Sequence, residues 1–259
     1  MKTRTIMIIA LTIAMLSIIF GVGFGVKKSV KKGDETTEAP GDSAKVAKRV
    51  FNLIILDESG SMQGLEKICV DGVNETIQTI RLSHEQLPDQ QQLLTFLTFS
   101  SQGKEAFRTH LDRVDITEVP EYKSENYRPS GGTPLFDAMG FALTRLEVSA
   151  TNDDIVLVTV ITDGYENAST DFDSEKLKAL IDRLDKKDWV FTYIGANQDA
   201  VLEAGRIGIR NALNYDASRG GTKEMWERER SSRSRFMERA RTGTAIRRLK
   251  EGYFNEEDK

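Results

Sequence analysis

One cysteine, Cys69, and two histidines, His84 and His110, are all that 259 residues hold of these two side chains. A lone cysteine excludes an internal disulfide and any zinc centre built on paired thiolates. Cys69 stands among Leu65, Ile68, Val73 and Ile77 at helical spacing, and reads as a small buried hydrophobe. The two histidines stand alone and read as solvated. The net charge is only −4, which does not describe a nucleic-acid binder. Neither G-x-x-x-x-G-K-[ST] nor G-x-G-x-x-G follows a strand, so a nucleotide-phosphate loop is not expected. There is no internal repeat. Asn74-x-Thr76 and Asn167-x-Ser169 match the glycosylation sequon, and both read as chance matches.

Charge is missing altogether from Ile6 to Val26, a stretch long enough for the roughly 20-residue span of a bilayer core. A cleaved signal peptide has a shorter apolar stretch, about 7–15 residues, and a better small-x-small site than Gly23-Phe24-Gly25. The expectation is therefore a retained single-pass transmembrane anchor in residues 1–26. Lys2 and Arg4 precede it and Lys27, Lys28, Lys31 and Lys32 follow, so flanking charge does not set its orientation. Residues 27–48 are charged and almost free of large apolar side chains, as a solvated tether would be.

From Arg49 the pattern changes. Short apolar runs at Phe51–Leu56, Leu93–Phe99, Ile155–Thr162 and Trp189–Ile194 read as strands, with Phe107–Leu111 a short edge strand and Asn211–Tyr215 a last one. Between them lie amphipathic stretches. Leu65, Ile68, Cys69, Val73, Ile77 and Ile80 make one helical face. Leu135, Met139, Ala142, Leu143 and Leu146 make another, with Thr133 as cap and Pro134 at the first helical position. A third holds Leu177, Leu180, Ile181 and Leu184, opened by Ser174 as N-cap. Strands alternating with helices predict an α/β fold: a doubly wound, mainly parallel sheet with helices on both faces.

Positive charge gathers near the end. Arg219 to Lys250 carries eleven Lys or Arg against four Glu. Met225 and Trp226 recur as Phe236 and Met237 three helical turns later, on one stripe. A basic helix for nucleic acid or anionic lipid competes with a last core helix whose arginines sit in water. The apolar stripe favours the core helix. Residues 243–259 read as a charged tail.

The polar residues of interest stand at strand ends. "FNLIILDESGSMQG" runs from a dry strand into Asp57, then Ser59 and Ser61. "LVTVITDGYEN" places Asp163 just past another strand, and "SGGTPLFDA" carries Thr133 after two glycines. Ligands of open α/β sheets collect at such carboxyl ends. All five side chains offer oxygen, which suits a hard cation such as Mg²⁺ or Mn²⁺. Taken singly, each has a plainer account as a cap or a turn residue. Three separate segments bringing oxygens to one sheet edge are harder to explain that way.

Asp57-x-Ser59-x-Ser61, Thr133 after the Gly-Gly turn and Asp163-Gly164 resemble the metal-ion-dependent adhesion site of von Willebrand factor type A (VWA) domains. The resemblance covers roughly Arg49 to Thr242, and "TYIGANQDA" with the helix-forming stretch after it is similar to some bacterial members. It implies a Rossmann-like fold with a divalent ion held directly by Ser59, Ser61 and Thr133, and more through water by Asp57 and Asp163. It further implies an adhesion or scaffolding module whose ion takes a Glu or Asp side chain from a partner protein, without catalysis. The alternative is a Mg²⁺-dependent phosphatase-like hydrolase with Asp57 as nucleophile. That chemistry needs an acid two residues on, where Ser59 stands, and a phosphate-balancing lysine that is not evident.

Overall fold

The computed structural model describes residues 49–102, 107–196 and 199–255. The expected anchor and the tether lie outside the described residues. Among those described, no helix is long and apolar enough to cross a membrane.

Six strands form a sheet: β1 (Arg49–Asp57), β2 (Gln91–Phe99), β3 (Phe107–Asp115), β4 (Ile155–Thr162), β5 (Val190–Ala196) and β6 (Asn211–Tyr215). Their order is β3-β2-β1-β4-β5-β6. Every neighbour pair is parallel except β2 and β3, so β3 is an antiparallel edge. The helices are α1 (Glu66–Gln86), α2 (Leu135–Glu147), α3 (Ser174–Asp185), α4 (Ala200–Arg206), α5 (Arg219–Arg241) and the single turn α6 (Ile246–Leu249).

The continuous apolar strands follow from having two covered faces. Successive side chains of β1 alternate. Val50, Ile54 and Leu56 join a core with Cys69 and Val73 of α1 and Met225 and Trp226 of α5. Phe51, Leu53 and Ile55 join a second core with Leu143 of α2, Leu180 of α3 and Ala204 of α4. The doubly wound, mainly parallel sheet expected from the sequence is the fold observed. Helix α3 starts one residue away from its expected cap: Asp173, not Ser174, is the N-cap, and its carboxylate accepts the Lys176 N–H at 2.8 Å. A charged acceptor is the stronger cap.

Cys69 is buried, and burial pushes its thiol up to about 12, which leaves it inert at neutral pH. His110 is not solvated. It is partly buried and stacks on Phe96 with ring centroids 5.1 Å apart, and burial lowers its pKa to about 4. Asn74 is tied to the Tyr122 backbone, donating to its carbonyl at 2.9 Å and accepting its N–H at 2.8 Å.

Helix α5 packs by the expected stripe: Met225, Trp226, Phe236 and Met237 are all buried. It lies close on α1 because Gly72 has no side chain; a Cβ there would stand 2.2 Å from the Trp226 ring. The arginines are not all in water, however. Arg233 and Glu229 form an ion pair at 2.9 Å, each side chain only 1% exposed. Arg233 also donates to Asn52 Oδ1 at 2.8 Å and Thr159 Oγ1 at 2.9 Å on the sheet.

Nor does packing stop at Thr242. Leu249, Tyr253 and Phe254 are buried in the α1–α5 core, so the segment that reads as a charged tail is part of that core. Burying three such side chains stabilises by on the order of 4 kcal/mol. A chain ending at Thr242 should therefore melt about 10 °C lower. An unchanged melting temperature would show that residues 243–255 contribute nothing to the fold.

Candidate metal site

Strand order reverses between β1 and β4, and there the carboxyl ends of two neighbouring strands open side by side. The register pairs Leu56 with Ile161, which brings the next residues, Asp57 and Thr162, together. Thr162 Oγ1 donates to Asp57 Oδ2 at 2.6 Å, and the Ser59 N–H donates to Asp57 Oδ1 at 2.7 Å. Asp57 is 0% exposed. Tyr127 adds a bond from its hydroxyl to the Asp57 carbonyl at 2.5 Å.

After Asp57 the chain makes a 3₁₀ turn, Gly60–Met62, and Ser59 stands at its N-cap position without capping it. The Ser59 hydroxyl instead faces the Ser61 hydroxyl at 3.1 Å, and Ser61 donates to Asp163 Oδ1 at 2.5 Å. Thr133 joins the same cluster. A Cβ built on Gly164 would lie 3.2 Å from Thr133 Oγ1 and 3.7 Å from Ser61 Oγ, so the two hydroxyls flank one glycine. All five residues singled out in the sequence therefore lie at one place.

Thr133 is not a helix cap. Helix α2 begins at Leu135, preceded by Pro134 with no side-chain cap bond. The free donors there are taken by the loop after β4. Glu166 Oε2 accepts the Phe136 N–H at 2.8 Å, and Asn167 Oδ1 accepts the Thr133 N–H at 2.8 Å. The Glu166 carboxylate outcompetes a hydroxyl for a helix N-terminus. Asp137 ties the two loops further, accepting the Thr170 N–H at 2.8 Å and the Phe172 N–H at 2.7 Å. The Thr133 hydroxyl is left without a hydrogen-bond partner among the described residues.

Backbone contacts lock the Thr133 loop onto the Asp57 loop. The Gly60 N–H donates to the Gly131 carbonyl at 2.9 Å, and the Ser130 N–H donates to the Glu58 carbonyl at 2.8 Å. A Cβ on Gly132 would stand 2.7 Å from Asn167 Oδ1 and push it off the Thr133 N–H. Gly131 has a φ of +75°, the left-handed region that favours glycine.

The electrostatics are those of a site short of positive charge. Burial raises Asp57 to about 6, against the hydrogen bonds from Thr162 and Ser59 that favour its charged form. Burial also raises Asp163, opposed by the Ser61 hydroxyl. Neither carboxylate is paired with Lys, Arg or His among the described residues. The second oxygen of Asp163 has no side-chain hydrogen-bond partner there. Two carboxylates and three hydroxyls, all oxygen, are what a hard divalent cation is held by.

Sequence reasoning missed the supports: Thr162, Glu166, Asn167 and Glu58. Glu58 lies between Asp57 and Ser59, and the alternation of an extended chain turns it to the other side. There it is buried, accepting from Arg108 at 2.5 and 2.7 Å, from Thr98 Oγ1 at 2.6 Å and from the Arg128 N–H at 2.5 Å. That alternation is the one signal for it in the sequence. Asn167 carried the misleading signal of a glycosylation sequon.

The family model for the von Willebrand factor type A domain matches residues 53–223, from within β1 to the first turn of α5. No curated protein sequence matches the chain. Among solved structures, the pilus adhesin SpaC of Lactobacillus rhamnosus GG is similar with a TM-score of 0.57 at 12% identity, over 74% of this chain and 31% of SpaC. The open conformation of SpaC gives 0.54 at 13% identity, over 74% of this chain and 30% of SpaC. The manganese-loaded TRAP protein of Plasmodium vivax gives 0.46 at 16% identity, over 69% of this chain and 72% of that one. The chain thus spans about a third of the length of SpaC. At such identities the likeness to SpaC is one of fold.

Proposed function

Because the chain belongs to the von Willebrand factor type A domain family, we propose that it binds a partner protein through a divalent cation held by Asp57, Ser59, Ser61, Thr133 and Asp163. Mg²⁺ or Mn²⁺ suits the oxygen set. One observation carries the reading: two buried carboxylates, with no cationic partner among the described residues, meet three clustered hydroxyls, of which that of Thr133 is unpartnered there. When bound, the ion supplies an electrophilic position for an outside oxygen, most naturally the carboxylate of a partner's Glu or Asp. This chain's residues orient the donors. Thr162 and the Ser59 N–H hold Asp57 while Ser61 holds Asp163. The Glu166–Asn167 loop keeps the Thr133 hydroxyl out of helix capping.

The hydrolase reading is disfavoured by Asp57 itself. It is fully buried with both oxygens accepting hydrogen bonds, so it is not presented for attack on a phosphate. Titration of the metal-free protein with Mn²⁺, followed calorimetrically, should show one ion bound. Ser61→Ala should weaken it about tenfold, the scale of one charge-assisted contact. A wild-type protein that takes up no ion would end this proposal.

The uncharged stretch 6–26 supports a further part of the reading, that the domain is held at a membrane by a single span and the tether 27–48. Alkaline carbonate washing should then leave the protein in the membrane pellet. Quantitative release would refute the anchor.

A further inference from the structure

Beside the candidate metal site, on the β2–β3 side, lies an open cavity of about 480 Å³ whose lining includes Glu58, Thr98, Arg108, Arg128 and Ser130. It is built from the chain neighbours of the metal-site residues. Glu58 is the residue between Asp57 and Ser59, and Ser130 belongs to the loop that carries Thr133. The Ser130 N–H bonds the Glu58 carbonyl at 2.8 Å, so the two sites are fastened to each other by backbone.

Among the described residues that line it, the charge is unbalanced. Two guanidinium groups face one carboxylate, Glu58, and that carboxylate is fully occupied by Arg108, Thr98 and the Arg128 N–H. Arg108 is held by Glu58 through one terminal nitrogen while its side chain stays 51% exposed. Arg128 is exposed and uses only its Nε, donated to the Glu125 carbonyl at 3.0 Å. The remaining guanidinium donors of both residues have no protein partner among the described residues. Arginine's planar fork suits a carboxylate. Charge across an interface chiefly sets which partner is accepted.

We propose that this cavity is a second anchoring point for the same partner, taking a second acidic side chain close in sequence to the one on the ion. The proposal rests on the metal-dependent reading above and narrows the partner to a doubly acidic segment. In an extended segment, side chains two residues apart lie about 7 Å from each other on one side. A Glu-x-Glu or Asp-x-Glu pair therefore presents two carboxylates on one side, one for the ion and one for the arginines.

The test uses the full chain in detergent, loaded with Mn²⁺, and two fluorescent peptides followed by anisotropy. One carries Glu-Gly-Glu and the other Glu-Gly-Gln. The first should bind wild type about fivefold more tightly, as expected of a solvent-exposed ion pair. Arg128→Gln should erase that advantage while leaving the affinity for Glu-Gly-Gln and for Mn²⁺ unchanged. Arg108→Lys, which keeps the charge beside buried Glu58 but loses the fork, should reduce it. Equal binding of the two peptides by wild type, or an advantage that survives both substitutions, overturns the second anchor and leaves the metal site standing. Failure of the chain to take up Mn²⁺, or of the loaded protein to bind either peptide, overturns both readings.

Discussion

Asp57→Asn should make the metal-free protein more stable at pH 7, by about 3 kcal/mol, and at the same time abolish its response to Mg²⁺. Asp57 has a folded pKa of about 6 against an ordinary value of 3.8. Each unit of that difference is worth about 1.4 kcal/mol. The folded state keeps the proton longer than the unfolded one, so the cost of ionising Asp57 is complete above about pH 6 and vanishes below about pH 4. Metal-free wild type should therefore gain stability as the pH falls from 7 toward 4, and the Asn variant should lose most of that dependence. Asp163, also raised by burial, leaves a remainder of the same sign. A divalent ion at a hundred times its dissociation constant restores about 2.7 kcal/mol to wild type and nothing to the variant.

Asparagine is the informative replacement. Alanine would strand the buried Ser59 N–H, which costs about 1–3 kcal/mol. Asparagine keeps an acceptor for Ser59, and Thr162 can turn its hydrogen to the Gly164 carbonyl, already 3.1 Å away. Urea unfolding of both proteins in EDTA and in Mg²⁺, between pH 4.5 and 7.5, reads all three effects. An equal Mg²⁺ response in the two would remove Asp57 from the site.

The second large effect is expected far from the metal. Arg233→Met should destabilise the protein by about 3–5 kcal/mol, because Glu229 is left charged and buried between α5 and the sheet. Asn52 Oδ1 loses its donor with it, and Thr159 Oγ1 keeps only the Thr192 hydroxyl. Replacing Glu229 by Met as well removes the stranded charge and should recover at least half of the loss, as apolar replacements of buried ion pairs often do. A double-mutant cycle by chemical denaturation measures the coupling. If Arg233→Met cost under about 0.5 kcal/mol, as a surface substitution does, α5 would be an exposed basic helix after all.

Periodicity in the sequence determined the architecture of the domain. Strands covered on both faces become unbroken apolar runs, and Ile155–Thr162 and Asn211–Tyr215 have the bounds the sequence predicts for them. A stripe of Met225, Trp226, Phe236 and Met237 marks a docked helix whatever charges surround it. The Asp57-x-Ser59-x-Ser61 spacing was equally legible, because it needs only a strand end and a turn. The rest depended on partners far along the chain. Thr133 reads as a cap, but Glu166, more than 30 residues on, takes the Phe136 N–H it would have bonded, and Asn167 holds Thr133 by its own N–H. Glu229 and Arg233, four residues apart, look like any solvated helical pair; only the approach of Asn52 and Thr159 makes them interior. Tyr253 and Phe254 follow a basic run that reads as tail, and Asn211 on β6 receives it, its Oδ1 accepting the Tyr253 N–H at 3.2 Å. Local sequence encodes which side of an element is apolar, because burial repeats with the element's own period. Which acceptor wins a given donor, and which charge is sealed from water, is a competition among groups that only the folded chain brings together.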